Sequence, residues 1–302
     1  MKQMQEQINA LKKEKDAVIL AHYYVEDAVQ QVADYVGDSY YLSKIAMEVP
    51  QQTIVFAGVA FMGESAKILN PHKTVLLPEP EADCPMAHMA NIKKIQKIRE
   101  EYEDVAVVCY INSTTELKAY SDVCVTSANA INIVKKLTNK NIYFIPDQHL
   151  GSYVAQKVPE KHFILNNGYC PVHHRITAMH VNEAKRVHPQ AKLLVHPECP
   201  EEVALAADFI GSTTEIIQYA QREEGQEFLI GTELGVMYEL REKCPGKVFY
   251  EIMQGQCCMD MKKVTLAKVK SCLELGSGEV QVEEQIRQKA VGALDRMLEL
   301  AK

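Results

Sequence analysis

The sequence predicts an α/β protein: three similar three-layer α/β/α units with parallel sheets, set around a pseudo-threefold axis and sharing one junction. Three observations carry this reading. Apolar runs alternate with helix-patterned stretches, as in a parallel sheet covered by helices on both faces. A heptapeptide recurs as ADYVGDS at 33–39, SDVCVTS at 121–127 and ADFIGST at 207–213. A cysteine follows each copy at a matching place, Cys84, Cys170 and Cys258, at intervals of 86 and 88 residues.

The elements follow in order. The opening MKQMQEQINALKKEKDAVIL is polar and helical in pattern, leading into the first apolar run. Each unit then starts with a run that reads as a buried strand: AVILAH, VAVVCY and AKLLVH. Each run ends in a polar cluster, His22-Tyr23-Tyr24, Tyr110-Ile111-Asn112 or His196-Pro197-Glu198. His22, Tyr110 and His196 are 88 and 86 residues apart. The heptapeptides carry Asp34, Asp122 and Asp208, each followed five residues later by Ser39, Ser127 or Thr213. Those aspartates read as braces of the repeat rather than substrate ligands. Helix-like YYLSKIAMEV, ANAINIVKKL and TEIIQYAQRE come next. A strand follows in each unit (TIVFAG, NIYFIP, EFLIG), then a helix with Gly63, Gly151 or Gly235 near its start. A last strand (TVLLPE, HFILNN, KVFYEI) leads to the cysteine, 62, 60 and 62 residues after the unit's first mark. The units divide as residues 1–103 with an N-terminal helix, 104–190, and 191–302 with a C-terminal helix, and neighbouring units can exchange terminal helices. Ligands of such sheets collect beyond the carboxyl ends of the strands. The polar clusters and the cysteines all fall at that end.

Composition narrows the function. With 302 residues, 47% hydrophobic and 24% charged, the chain is an ordinary globular protein. Thirty-three basic against forty acidic residues give a net charge of −7, which excludes a general nucleic-acid binder or a protein resting on an anionic membrane. No stretch approaches 18 uninterrupted apolar residues, and the N-terminus lacks a secretory-signal pattern. The expected setting is the cytoplasm, with thiols reduced. Nine cysteines is an odd number, against a closed disulfide set.

Cys84 and Cys170 each precede a proline, favoured at the first helical position, so the repeated cysteines are expected at helix starts. Orphan N–H groups and the helix dipole there favour the thiolate. Three thiolates from distant segments suit a 4Fe–4S cluster with one open iron, able to act as a Lewis acid. Zinc is the second choice, but no C-x-x-C pair is present. Cys109 and Cys124 lie in apolar runs and Cys272 in a terminal helix; these read as core. Cys199 and Cys244 are excluded by repeat position, and Cys257 competes with Cys258 for the third place. Ser39, Ser127, Ser212 and Thr213 lie where helices begin, where hydroxyls and backbone N–H groups hold carboxylates or phosphate, or simply cap helices. His22, Tyr24, Tyr110, His173, His196 and Glu198 are the acid/base candidates.

The chain resembles the quinolinate synthases, the 4Fe–4S enzymes of de novo NAD biosynthesis. The resemblance runs nearly end to end through ILAHYY, VADYVGDS, FMGESAKILNP, DCPMA, YINSTTELKAYSDVCVTSANA, PDQHLG, GYCPVH, HPECP, ADFIGST, IGTELG and CMDMKK. It implies three α/β/α units with the cluster at their junction. It implies a transferase that condenses iminoaspartate (iminosuccinate) with dihydroxyacetone phosphate to quinolinate, losing phosphate and two waters. It places the cluster ligands on Cys84, Cys170 and Cys258, the last through the spacing Cys258-Met259-Asp260-Met261-Lys262. The adjacent Cys257 and the Gly in FMGE depart from the usual pattern. The implied substrate-binding positions are His22, Ser39, Tyr110, Asn112, Ser127, His196, Glu198 and Thr213, with His173 close by and Ser212 as a further anion holder. Tyr24 and Glu198 are the expected proton-transfer groups, with Tyr110 and His196 beside them. The two small substrates are the only expected partners.

Two rival readings remain at this stage. A 4Fe–4S hydro-lyase of hydroxy acids shares the open iron but not the phosphate-bearing substrate. A non-enzymatic iron–sulfur or zinc sensor has no use for the His, Tyr, Asn and Glu at the strand ends.

Overall fold

Three sheets of four parallel strands form the computed structural model, which describes residues 2–302. The first contains β1 (Ala17–His22), β2 (Tyr35–Gly37), β3 (Thr53–Ala57) and β4 (Thr74–Leu76) in the order β2-β1-β3-β4. The second contains β5 (Val105–Tyr110), β6 (Val123–Val125), β7 (Asn141–Ile145) and β8 (His162–Leu165) in the order β6-β5-β7-β8. The third contains β9 (Lys192–Val195), β10 (Phe209–Ile210), β11 (Glu227–Gly231) and β12 (Val248–Glu251) in the order β10-β9-β11-β12. Thus the chain is an α/β protein of three similar units.

The opening strand of each unit lies inside its sheet, which is why it reads as a continuous apolar run: every residue of β1 and β5 is buried. The heptapeptide holds the short edge strand beside it. Its aspartate clamps the two together in all three units. The Asp34 carboxylate accepts from Ile19 N at 2.8 Å, while Asp34 N donates back to Ile19 O at 2.9 Å. Asp122 does the same with Val107 (2.7 and 3.0 Å), and Asp208 with Leu193 (2.7 and 2.9 Å). These aspartates stand away from the strands' carboxyl ends, as braces should.

Both faces of a unit are covered, as the third shows. Leu194, Phe228 and Ile230 pack on one side with helices Thr213–Arg222 and Val236–Lys243. Leu193, Val195 and Leu229 pack on the other with helices Ala178–Val187 and Glu201–Leu205. Helix Ile92–Glu101 lies against β5, and Arg99 donates to Asp122 at 2.9 Å.

The chain then doubles back. Helix Leu266–Leu275 packs beside Lys2–Glu14 of the first unit. The next residues pair antiparallel to β4, with Leu77 N donating to Gly278 O and Val280 N to Val75 O, both at 2.8 Å. Gly278 has φ +79, and a Cβ there would strike the Leu77 carbonyl. Helix Glu284–Leu300 finally lies across helices Thr115–Ala119 and Ala60–Leu69 and strand β6, joining the first two units. No helix among the described residues is long and apolar enough to cross a membrane.

Candidate active site

The carboxyl ends of the three sheets face one cavity. The first unit lines it with His22, Tyr24, Ser39 and Cys84. The second contributes Tyr110, Asn112, Ser127, Cys170 and His173, and the third His196, Glu198, Thr213 and Cys258. Of the residues expected from the sequence to bind substrate, transfer protons or hold the cluster, Ser212 alone among the described residues is not brought to the wall. Its hydroxyl accepts from Glu215 N at 3.3 Å in a capping box, so it orders helix Thr213–Arg222. The hydroxyls expected just before helices are placed differently in detail. Ser39 and Thr213 are the first residues of ten-residue helices, capped by Asp38 and Ser212. Ser127 lies two residues before Asn129, which precedes helix Ala130–Lys136.

The loops after β1 and β9 orient their histidines alike. Tyr24 N donates to His22 Nδ1 at 3.1 Å, and Glu198 N to His196 Nδ1 at 3.3 Å. With Nδ1 accepting, each neutral ring carries its proton on Nε2. His196 Nε2 accordingly donates to Ser127 Oγ at 3.1 Å. Burial drives the pKa of both histidines down to about 3, so both are neutral at physiological pH.

One hydrogen-bonded chain crosses all three units. Tyr24 Oη lies 2.8 Å from both Thr213 Oγ1 and Thr232 Oγ1. Thr232 Oγ1 is also 2.9 Å from His173 Nε2, and His173 Nδ1 is 2.7 Å from Glu198 Oε2. Tyr110 Oη donates to the other Glu198 oxygen at 2.6 Å. Burial, with Glu198 adding to it, holds the phenols of Tyr24 and Tyr110 well above their usual range, so both keep their protons. Burial opposes the charge on Glu198, but the hydrogen bonds from His173 and the Tyr110 hydroxyl help to hold the carboxyl below its usual range. A protonated phenol and an ionised carboxylate in one cavity are a matched acid and base.

Tyr24 owes its position to a close approach. A Cβ on Gly235 would lie 2.5 Å from Tyr23 O and 2.6 Å from Tyr24 Cα, so only glycine lets the third unit meet this loop. Gln30 Nε2 fixes the contact by donating to Tyr23 O, Val25 O and Gly235 O. Lys262 Nζ donates to Tyr24 O at 2.6 Å and pairs with Glu233 at 3.0 Å.

Each of the three cysteines precedes a four-residue helix: Pro85–His88, Pro171–His174 and Met259–Lys262. Burial pushes all three thiols up, while the backbone N–H groups at the helix starts favour the thiolates. Cys257 is not on the cavity wall, and Cys109, Cys124, Cys199, Cys244 and Cys272 are buried in the core.

The donor set distinguishes one ion from a larger group. Among the described residues, the one trio of His, Cys, Asp or Glu ligand atoms within 4.8 Å of one another is Cys170, His173 and Glu198. The three repeated thiols share the cavity but do not come within 4.8 Å of one another as a set, so they are not gathered for a single ion. Two polar atoms of the wall, Asn112 Oδ1 and Thr126 Oγ1, have no partner among the described residues, as expected of groups that meet a ligand. No Lys or Arg lines the wall, so a bound anion meets neutral N–H and O–H donors.

Sequence reasoning missed Thr232 and Glu233. They follow β11 outside the repeated clusters, and the segment IGTELG was the only signal that could have marked them.

Comparison with known proteins agrees with this geometry. A family model described as Quinolinate synthetase A protein matches residues 6–299. A quinolinate synthase of Fusobacterium nucleatum is 51% identical over 298 residues, covering 99% of either chain. One of Caldicellulosiruptor bescii is 49% identical over 297 residues, covering 98% of either. One of Clostridioides difficile is 47% identical over 295 residues, covering 98% of this chain and 97% of its own.

Proposed function

Because the chain belongs to the quinolinate synthetase A family, we propose that it condenses iminoaspartate with dihydroxyacetone phosphate to give quinolinate, phosphate and water in NAD biosynthesis. The carrying observation is the convergence of three repeat-related cysteines and three polar strand ends on one cavity. Cys84, Cys170 and Cys258 would hold a 4Fe–4S cluster. When bound, it supplies a Lewis acid through the iron that has no protein ligand.

The remaining chemistry belongs to the chain. The Nε2–H groups of His22 and His196 and the hydroxyls of Ser39, Ser127 and Thr213 hold the carboxylate and phosphate groups of the substrates. Ser39 and Thr213 also start helices whose first N–H groups have no intrahelical partner, and the helix dipole favours an anion there. Asn112 orients a substrate donor with its unpartnered oxygen. Isomerisation, cyclisation and dehydration each move protons. Glu198, held ionised between Tyr110 and His173, takes a proton. Tyr24, held protonated, gives one. The apolar stretch of the wall at Val59, Phe61, Met62 and Met86 excludes water from groups that must lose it. We place the activity in the cytoplasm, where the nine unpaired thiols stay reduced.

The test is anaerobic loading with iron and sulfide, followed by a quinolinate assay with both substrates. Quinolinate and inorganic phosphate should form in equal amounts. Cys84→Ala, Cys170→Ala and Cys258→Ala should lose the visible absorption of the cluster, and Cys257→Ala should keep it. A loaded chain that makes no quinolinate sinks the proposal.

A further inference from the structure

Each of the three repeated cysteines has its own backbone N–H tied to a carboxylate. Cys84 N donates to Asp83 Oδ1 at 2.7 Å, Cys170 N to Asp147 Oδ2 at 3.2 Å, and Cys258 N to Glu233 Oε1 at 3.0 Å. Two of these carboxylates occupy the same place in their units. The register is set by a backbone bond common to all three: Ala60 N to Ala82 O, Gln148 N to Gly168 O, and Leu234 N to Gln256 O, at 2.8–2.9 Å. The residue before each donor is Val59, Asp147 or Glu233, and the cysteine lies two residues after each acceptor. The first unit therefore has an apolar residue where the others have an acid. It supplies its carboxylate instead from Asp83, immediately before the cysteine. The same contact to the cysteine N–H is thus made in all three units, from two different positions.

The carboxylates are also expensive to keep. Asp147 and Glu233 are fully buried, and a buried carboxylate is costly unless its oxygens are satisfied. Both oxygens are. Asp147 accepts from Leu150 N at 2.6 Å with its second oxygen, and Glu233 from Gly235 N at 2.6 Å. Each thereby couples a cysteine loop to the helix that follows the third strand of its unit. Asp83 makes an equivalent link through His88 Nε2 at 2.7 Å, within the turn that Cys84 opens.

We infer that Asp83, Asp147 and Glu233 are the positioning residues of the three-thiol centre. Each carboxylate sets the backbone from which one thiol projects and holds it at its station before iron arrives. This rests on the proposed cluster at Cys84, Cys170 and Cys258. Ligand-orienting partners of this kind are worth about 10–100-fold in metal retention.

The experiment compares loaded wild type with Asp83→Ala, Asp147→Ala and Glu233→Ala, and with Asp83→Asn, Asp147→Asn and Glu233→Gln. The readouts are the rate of iron transfer to a ferrous chelator and the visible circular dichroism of the cluster. The far-ultraviolet spectrum of the metal-free chain controls for folding. Asp83 has a side chain 47% exposed, so its alanine variant keeps the fold even if the buried ones do not. The alanine variants should release iron about 10–100 times faster than wild type with an altered visible spectrum. Asp83→Asn keeps one oxygen for Cys84 N and can turn its amide N–H to His88, so it should stay near wild type, whereas Asp147→Asn and Glu233→Gln set an amide N–H against a backbone N–H and should release iron as their alanine variants do. Folded alanine variants that hold iron as long as wild type overturn the inference, as does Asp83→Asn releasing it as fast as Asp83→Ala. If wild type itself retains no iron, the proposed function fails and takes this inference with it.

Discussion

Tyr24 sits on a loop of the first unit, yet its hydroxyl bonds only to threonines of the third. Removing that oxygen should leave the ring against His22, 4.4 Å between centroids, and leave the cysteines untouched. Tyr24→Phe is therefore expected to keep the visible spectrum of the loaded enzyme while quinolinate formation falls by about 10²–10⁴, the range of one acid/base group. Wild-type turnover would strike Tyr24 from the proton-transfer role. At this scale the sequence was informative wherever a chemical group recurs in register. His22, Tyr110 and His196 recur, as do the cysteines, and all line the cavity. Thr232 has no counterpart at the matching positions, Gly58 and Pro146. Its role as the link between Tyr24 and His173 exists only once two units meet, and no pattern along the chain records that.

The aspartate clamp is the clearest feature at the scale of elements. One carboxylate at the start of each heptapeptide closes a two-bond ring with the central strand, three times over. Among the described residues Asp208 has no ion-pair partner, unlike Asp34 with Lys12 and Asp122 with Arg99, so it isolates the clamp. Asp208→Ala leaves the Leu193 N–H without its acceptor and should cost about 1–3 kcal/mol in denaturant unfolding. Asp208→Asn should recover most of it, because an amide oxygen still accepts. If alanine and wild type unfold at the same denaturant concentration, the clamp contributes nothing. Central strands such as β1 and β5 were legible because burial on both faces requires an unbroken apolar run. The edge strands β2, β6 and β10 were not, because two or three residues are too few to show a period. In the heptapeptide the Asp and the hydroxyl recur in sequence, whereas the strand between them is defined by its pairing with the central strand.

Across the whole molecule, the last 40 residues act on units other than their own. Helix Leu266–Leu275 and the strand-like residues after it close on the first unit, and helix Glu284–Leu300 spans the first and second. Leu294 is fully buried in that helix, within the core that the first two units share. Leu294→Ala should lower stability by about 2–5 kcal/mol, measured by thermal or denaturant unfolding. A loss below about 0.5 kcal/mol would show that the helix is a surface attachment, as surface substitutions fall in that range. The helical character of this segment was readable from its periodicity, but its destination was not, because an apolar face does not say which unit it will meet.

That closing helix also dates the birth of the active site. A chain is made from its N-terminus, and its domains fold in that order. Cys84 and Cys170 leave the ribosome well before Cys258, and Glu284–Leu300 emerges after all three. Two thiols of the set, two histidines and both tyrosines are thus in place while the cavity still lacks its third wall. Until Cys258 emerges, a nascent chain can offer iron only two of the three thiols. The proposed three-thiol centre is accordingly complete only once the third unit has closed on the first two.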